Sequence, residues 1–461
     1  MDDNLKKWLP WIAVAAVALI VIIVIAVNSG SDDEATSTTV ASGETTTSAA
    51  ETTTTAAQET TTTASGGEAP EPGPLGAVEL AAGEDIQIRS LQAITGPVAS
   101  LGIPNQRGVE LAIVDVGPIK GHNVNMGTAM DDLCSPEGGQ AAGQAIAADD
   151  KIIGTIGTSC SSAGSAAIPL ISDAGQVMIS SSNTSPSLTS DKAGNAGIDW
   201  RPGYYRTAHN DLFQGRAVAE FVATELGLTK IATIHDGSVY AEGLVSAFEA
   251  SFVDDFGGTI TLSTAVNVGD IDMIPVLTDV AASSPEGLFF PIFMPEGGFI
   301  STDALKVDGF DAITMIGADG ILADNFMEIP ETKDTYLSGP DLAFTNTSVT
   351  GVSSDDFLAA YQAAYGEDPT APFWAHSYDA TVMLLTAIDA VSVELADGGL
   401  FIDRQALRDE LTATSNFAGI IGSLTCDEFG DCGAPRISVI QNVTPDDIPN
   451  SKANVVFNWQ P

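Results

Sequence analysis

The stretch from Ile152 to Thr189 limits the possible folds of this chain more than any other. It reads IIGTIGTSCSSAGSAAIPLISDAGQVMISSSNTSPSLT. Two short β-branched runs, IIGTI and VMIS, each end in a cluster of small hydroxyl residues. Between them SSAGSAAIPLISDAG carries Ile168, Leu170 and Ile171 as an apolar side, the pattern of a helix. Strand, polar turn, helix, strand, polar turn is the unit of a parallel α/β sheet. Such sheets bind ligands at the carboxyl ends of their strands. Ser161, Ser162, Ser182 and Thr184 offer hydroxyls there, and glycines and a helix start offer backbone N–H groups. That chemistry suits a carboxylate rather than a transition metal.

The same alternation extends on both sides. IQIRSLQA, from Ile86, reads as a first strand and TGPVASLG as a Gly/Pro turn. Residues 104–115 read as a helix with Pro104 at its start, residues 123–132 as a second strand, and residues 136–150 as a helix of small residues. A Gly/Pro loop at 193–204 separates this from a second series, with strands at 230–234, 259–264, 287–290 and 312–316. Its helices read as 211–227, 239–256, 271–281 and 296–306, and two more follow at 354–366 and 372–392. Two α/β lobes are expected.

Ahead of the lobes, residues 9–27 form an uncharged apolar run, LPWIAVAAVALIVIIVIAV, long enough to cross a bilayer. Lys6 and Lys7 precede it and Asp32, Asp33 and Glu34 follow, which by the positive-inside rule places everything after it outside the cytoplasm. A cleaved signal peptide is the rival reading, but no Ala-x-Ala site closes the run. Residues 1–29 are therefore expected to be a membrane anchor. Residues 30–83, rich in Thr, Ala and Glu, are expected to be a disordered tether. The chain carries 17 Lys plus Arg against 61 Asp plus Glu, so it lacks the basic footprint that nucleic-acid binding requires.

Export puts the four cysteines in an oxidising space, where pairing is expected. Cys426 and Cys432 enclose the short turn DEFGD, and Cys134 and Cys160 follow the second and third strands. Enzyme signatures are missing: there is no G-x-S-x-G elbow, no G-x-G-x-x-G opening a helix and no Walker A motif. The four histidines are not spaced as a metal pair, and Asp427, Glu428 and Asp431 lack the EF-hand spacing. No catalytic residue, metal or cofactor is expected.

Eight segments in order carry a family resemblance: ITGPVASLG, MDDLCSPEGGQAAGQAI, IGTSCSSAGSAAIPL, MISSSNTSPSLT, RTAHNDLFQG, IHDGSVYAEGL, FMPEGG and MIGADG. From about residue 84 to 445 the chain resembles the substrate-binding proteins of branched-chain amino acid ABC transporters, which have the type I periplasmic binding protein fold. The resemblance implies two α/β lobes, joined by three crossovers, that close on a ligand. Lobe 1 is then expected at 84–205 and 339–422, and lobe 2 at 206–338 and 423–461. It also implies a Cys134–Cys160 disulfide, Ser161 with Ser182 and Thr184 receiving an α-carboxylate, and Asp319 meeting the ammonium. Tyr240 and Phe293 match aromatic residues that close over the ligand, and Leu101 falls where some members place a tyrosine. Leu101 and Phe293 lack hydroxyls and favour an aliphatic side chain, since about 0.8 kcal/mol is gained per buried CH₂.

The expectation is an extracytoplasmic protein, monomeric and membrane-anchored, that captures an L-amino acid for an ABC permease. A tethered sensor or surface module for an amide, urea or aromatic acid is the alternative. A hydrolase using Ser161 is disfavoured, because no base is placed to activate that serine.

Overall fold

The structure is a computed structural model and describes residues 69–461. The apolar run at 9–27 and residues 30–68 of the expected tether lie outside the described residues. Among those described, no helix is long and apolar enough to cross a membrane.

Two sheets organise the fold. The first is all parallel, in the order Val124–Asn125, Ile86–Gln92, Ile152–Gly157, Val177–Ser180, Tyr204–Arg206. The second runs Val455–Trp459, Ile437–Gln441, Tyr336–Pro340, Thr314–Gly317, Gly287–Phe289, Lys230–His235, Thr259–Ala265. Its last five strands are parallel and its first two pair antiparallel. Ile152–Gly157 and Val177–Ser180 are buried at every position, which is why these strands read as continuous apolar runs. Each lobe has its own core. Tyr378, Leu384 and Ile156 sit in the first, and Phe248, Phe289 and Phe326 in the second. The chain passes between lobes after Arg206, after Pro340 and before Ile437.

Three expectations need correction. The tether does not run to residue 83: Ala77–Leu80 is a strand antiparallel to Leu400–Asp403, with Val78 and Leu80 buried. Its partner is more than 300 residues away, so local sequence carried no trace of it. The strand read at 123–132 is two short pieces, Val124–Asn125 and Met130–Asp131, each paired with Ile86–Gln92. Gly127, at φ +61°, breaks them apart, and its N–H is held by Asn125 Oδ1 at 2.8 Å. The helix read from Pro104 begins earlier, at Ala99. Pro104 removes the N–H that the Ser100 carbonyl needs, and the Thr370 hydroxyl supplies the missing donor at 2.7 Å.

The lobes touch across the cleft. Val239 N donates to Ser162 Oγ at 3.0 Å, Ser100 Oγ donates to Asn325 Oδ1 at 3.0 Å, and Asp324 N donates to Thr370 O at 3.0 Å. This is a closed clamshell.

Candidate functional site

A narrow cleft lies between the lobes, lined by Leu101, Asn105, Ser159, Ser161, Ser182, Tyr240, Phe293, Asp319, Gly320 and Phe373. The lobe 1 floor is built from strand ends. Ser161 opens the helix Ser161–Asp173, whose start is not capped by any side chain. The first intrahelical bond there is Gly164 N to Cys160 O, so the N–H groups of the opening turn remain for an anion. Ser161 is buried, and its Oγ accepts only a long bond from Ser185 N, at 3.4 Å.

The loop that presents Ser161 is clasped from two directions. Cys134 and Cys160 form a disulfide. Asp132, fully buried, accepts from Cys134 N at 2.7 Å, Ser159 N at 2.6 Å and Cys160 N at 3.4 Å. Burial pushes its carboxyl up to about 7 against the lowering effect of those N–H groups.

Six of the seven residues expected at the site come together in this cleft: Leu101, Ser161, Ser182, Tyr240, Phe293 and Asp319. Two behave differently from expectation. Ser182 lines the cleft, but its hydroxyl donates to Ser159 O at 3.1 Å and accepts from Asn105 Nδ2 at 3.1 Å. Thr184 does not line the cleft. It is fully buried, its hydroxyl makes no hydrogen bond of good geometry, and its carbonyl accepts from Asp211 N at 2.9 Å.

On lobe 2, Asp319 follows the strand Thr314–Gly317 in a one-turn helix. Its Oδ1 accepts from Gln214 Nε2 at 2.8 Å and from Tyr240 OH at 2.9 Å, and its Oδ2 makes no hydrogen bond to the described residues. Tyr240 OH in turn accepts from Gly320 N at 3.1 Å, and its ring centroid lies 5.0 Å from that of Phe293. Burial raises the Asp319 carboxyl to about 6, opposed by the Gln214 and Tyr240 donors. Asp211 is wholly buried and neither of its oxygens makes a hydrogen bond of good geometry. Its pKa stands well above the ordinary value, first from burial and then from the charge of Asp319, with Arg206 and the nearby Thr184 hydroxyl opposing.

Gln214 Oε1 meets His209 Nε2 at 2.5 Å, so His209 carries its proton on that nitrogen. Burial lowers His209 to about 4 and His376 to about 3. Both imidazoles are therefore neutral at ordinary pH. Beside them, Arg206 is completely buried at the first crossover. It donates to Asp431 of the third crossover, to Asn183 O at 3.0 Å and to Ser185 O at 2.8 Å. Burial alone would raise Asp431, yet Arg206 and Lys192 hold it at about 2. Asp431 lies between Cys426 and Cys432, which are also joined by a disulfide. The acidic turn that holds Asp427, Glu428 and Asp431 is thus tied down by salt bridges from Lys192 to Asp427 and Asp431 and from Arg206 to Asp431. No metal-binding group of three or more ligands occurs among the described residues.

Sequence reading missed Asn105, Ser159 and Phe373 in the wall, and Asp211 and Gln214 behind Asp319. The last two lie in RTAHNDLFQG, where spacing alone does not show which side chains turn toward the cleft.

Comparison with known proteins follows the same lines. The Leu/Ile/Val-binding protein homolog 3 of Brucella melitensis is 26% identical over 371 residues, covering 78% of this chain and 92% of its own. A leucine-binding protein from Thermotoga maritima superposes with a TM-score of 0.68 at 22% identity, covering 82% of this chain and 99% of its own. A solute-binding protein of an ABC transporter from R. palustris, solved with benzoate, gives a TM-score of 0.64 at 18% identity over 82% of this chain and 96% of its own. Residues 85–430 match the periplasmic binding protein family as a whole, and on that match, with two lobes closing on one cleft, the chain belongs to that family of binding proteins rather than to any class of enzyme.

Proposed function

We propose that this protein captures a free L-α-amino acid with a branched aliphatic side chain outside the cytoplasm and delivers it to an ABC permease. One observation carries the reading. An uncapped helix start with Ser161 lies on one lobe, and Asp319, with Oδ2 free of protein partners, lies on the other, and both line one cleft. A zwitterion gains from both ends only when the lobes close. Closure excludes water and strengthens each contact. Leu101, Phe293 and Phe373 supply the apolar walls. The binding named for the Brucella and Thermotoga proteins supports the same ligand class. The anchor at 1–29, the tether at 30–76 and a monomeric state are part of this proposal.

The second reading is an aromatic carboxylate. It is favoured by the same apolar walls and by the raised pKa of Asp319, which as a neutral acid would not repel a ligand lacking an ammonium. The benzoate complex of the R. palustris protein is consistent with it. Calorimetry with leucine, valine, acetamide and benzoate, on wild type and Asp319→Ala, decides between them. The amino-acid reading expects leucine to bind and to lose affinity by about 2–5 kcal/mol in the variant, the cost of removing one partner of a buried charge pair. Benzoate binding without leucine binding, or leucine affinity unchanged in the variant, sinks it.

A further inference from the structure

Resting on the amino-acid reading above, we propose that Asn105 reads a hydrogen-bond donor on the ligand side chain. The cleft then takes a β-hydroxy amino acid of the threonine type in preference to its isosteric hydrocarbon, valine. Leu101 and Asn105 stand four residues apart on the helix Ala99–Val116, so they share one face, and both line the cleft. That helix is held in place. Ser377 Oγ donates to Asn105 O at 2.7 Å, and a Cβ on Gly108 would come within 2.7 Å of the Trp374 carbonyl oxygen.

The orientation of the Asn105 amide follows from counting protons. Ser182 Oγ has one proton and gives it to Ser159 O, so the Asn105 atom 3.1 Å from Ser182 Oγ is the nitrogen. Oδ1 therefore turns the other way. It is fully buried and meets no donor. A buried amide oxygen without a partner is a destabilising arrangement that native proteins rarely leave in place.

No residue lining the cleft, Ser161 included, makes a hydrogen bond to it. Leu101, Phe293 and Phe373 are apolar. Tyr240 gives its proton to Asp319, and Ser159 gives its own to Gln92 Oε1 at 2.8 Å. The ligand ammonium is committed to Asp319 on the opposite lobe, which leaves the ligand side chain to supply the donor. A site built around a buried polar group discriminates strongly against an analogue that cannot pair with it. Threonine and valine have nearly the same shape and differ in that one donor.

The test is calorimetric titration of the full-length chain with L-threonine and L-valine, repeated on Asn105→Leu. Wild type is expected to bind threonine at least about tenfold more tightly than valine. The variant is expected to lose or invert that preference while its ligand-free melting temperature stays near wild type. Should the variant fail to fold, O-methyl-threonine on wild type replaces it, and this ligand, lacking the donor, is expected to lose the advantage of threonine. Equal affinity for threonine and valine on wild type overturns the role of Asn105 and leaves the amino-acid reading standing. So does a variant that weakens both ligands alike. If neither amino acid binds, this inference falls, and leucine binding decides whether the amino-acid reading falls with it.

Discussion

Tyr240 donates its phenolic hydrogen to Oδ1 of Asp319, a residue of the cleft wall, at 2.9 Å, and leaves the other carboxylate oxygen without a hydrogen bond to the described residues. Gln214 holds the same Oδ1 from the opposite side at 2.8 Å. The single acidic group that faces the ligand is thus fixed by two neutral donors and not by a cation, so its charge stays available.

Tyr240→Phe should weaken leucine binding by about 1.5–3 kcal/mol, the range for a hydrogen bond to a charged group. Part of that loss comes from a carboxylate free to rotate. Gln214→Leu should act in the same direction. Calorimetry on the two single variants and the double variant measures their coupling. Strictly additive losses would show that the two donors do not act on one carboxylate.

The affinity for an amino acid should fall on acidification. Burial raises Asp319 to about 6 in the ligand-free protein, and the ammonium needs the ionised form. Affinity is therefore full well above pH 6 and declines as pH drops through that value, with Asp211, Gln214 and Tyr240 as the groups around it. Binding near that pH should release a proton, read as a dependence of the calorimetric heat on buffer ionisation enthalpy. An aromatic acid would show the opposite trend.

Acid stability should be limited in part by His376. Its Nδ1 has no partner, it packs against Phe344 and Phe373, and burial lowers it to about 3 from 6.5. The unfolded chain binds that proton more readily, so stability is full above about pH 6.5 and is lost as pH falls toward 3. At pH 4 the linkage amounts to roughly 2–4 kcal/mol. His376→Phe should flatten the acid limb of a melting-temperature profile, and an unchanged limb would refute the assignment.

All four cysteines should resist labelling in the denatured, unreduced protein. Cys134–Cys160 and Cys426–Cys432 are both bonded, and there are no free cysteines. The first has a sequence separation of 26, for which loop entropy gives roughly 3–4 kcal/mol. Cys134→Ser with Cys160→Ser should lose about that much stability and also weaken ligand binding, since the loop presents Ser161. Asp132 still clasps Ser159 and Cys160 in that variant, so the loss of binding should be partial.

The parallel α/β alternation is legible in the chain alone, because a fully buried strand and the helix after it leave local apolar signatures at 152–180. The hydroxyls that stand at strand ends are legible too, since that depends on neighbours in the chain. Which of them face the ligand is settled by long-range pairing. Ser182 spends its proton on Ser159, and Thr184 turns away beside Asp211, because of backbone contacts that form only when the strands pair. Asn105 reaches the cleft because Ser377, some 270 residues later, holds its helix there. Asp211 lies within the field of Asp319, without a well-formed hydrogen bond, because the crossovers bring distant segments together. Interactions of that kind depend on chain closure over hundreds of residues, and no local pattern in the sequence encodes them.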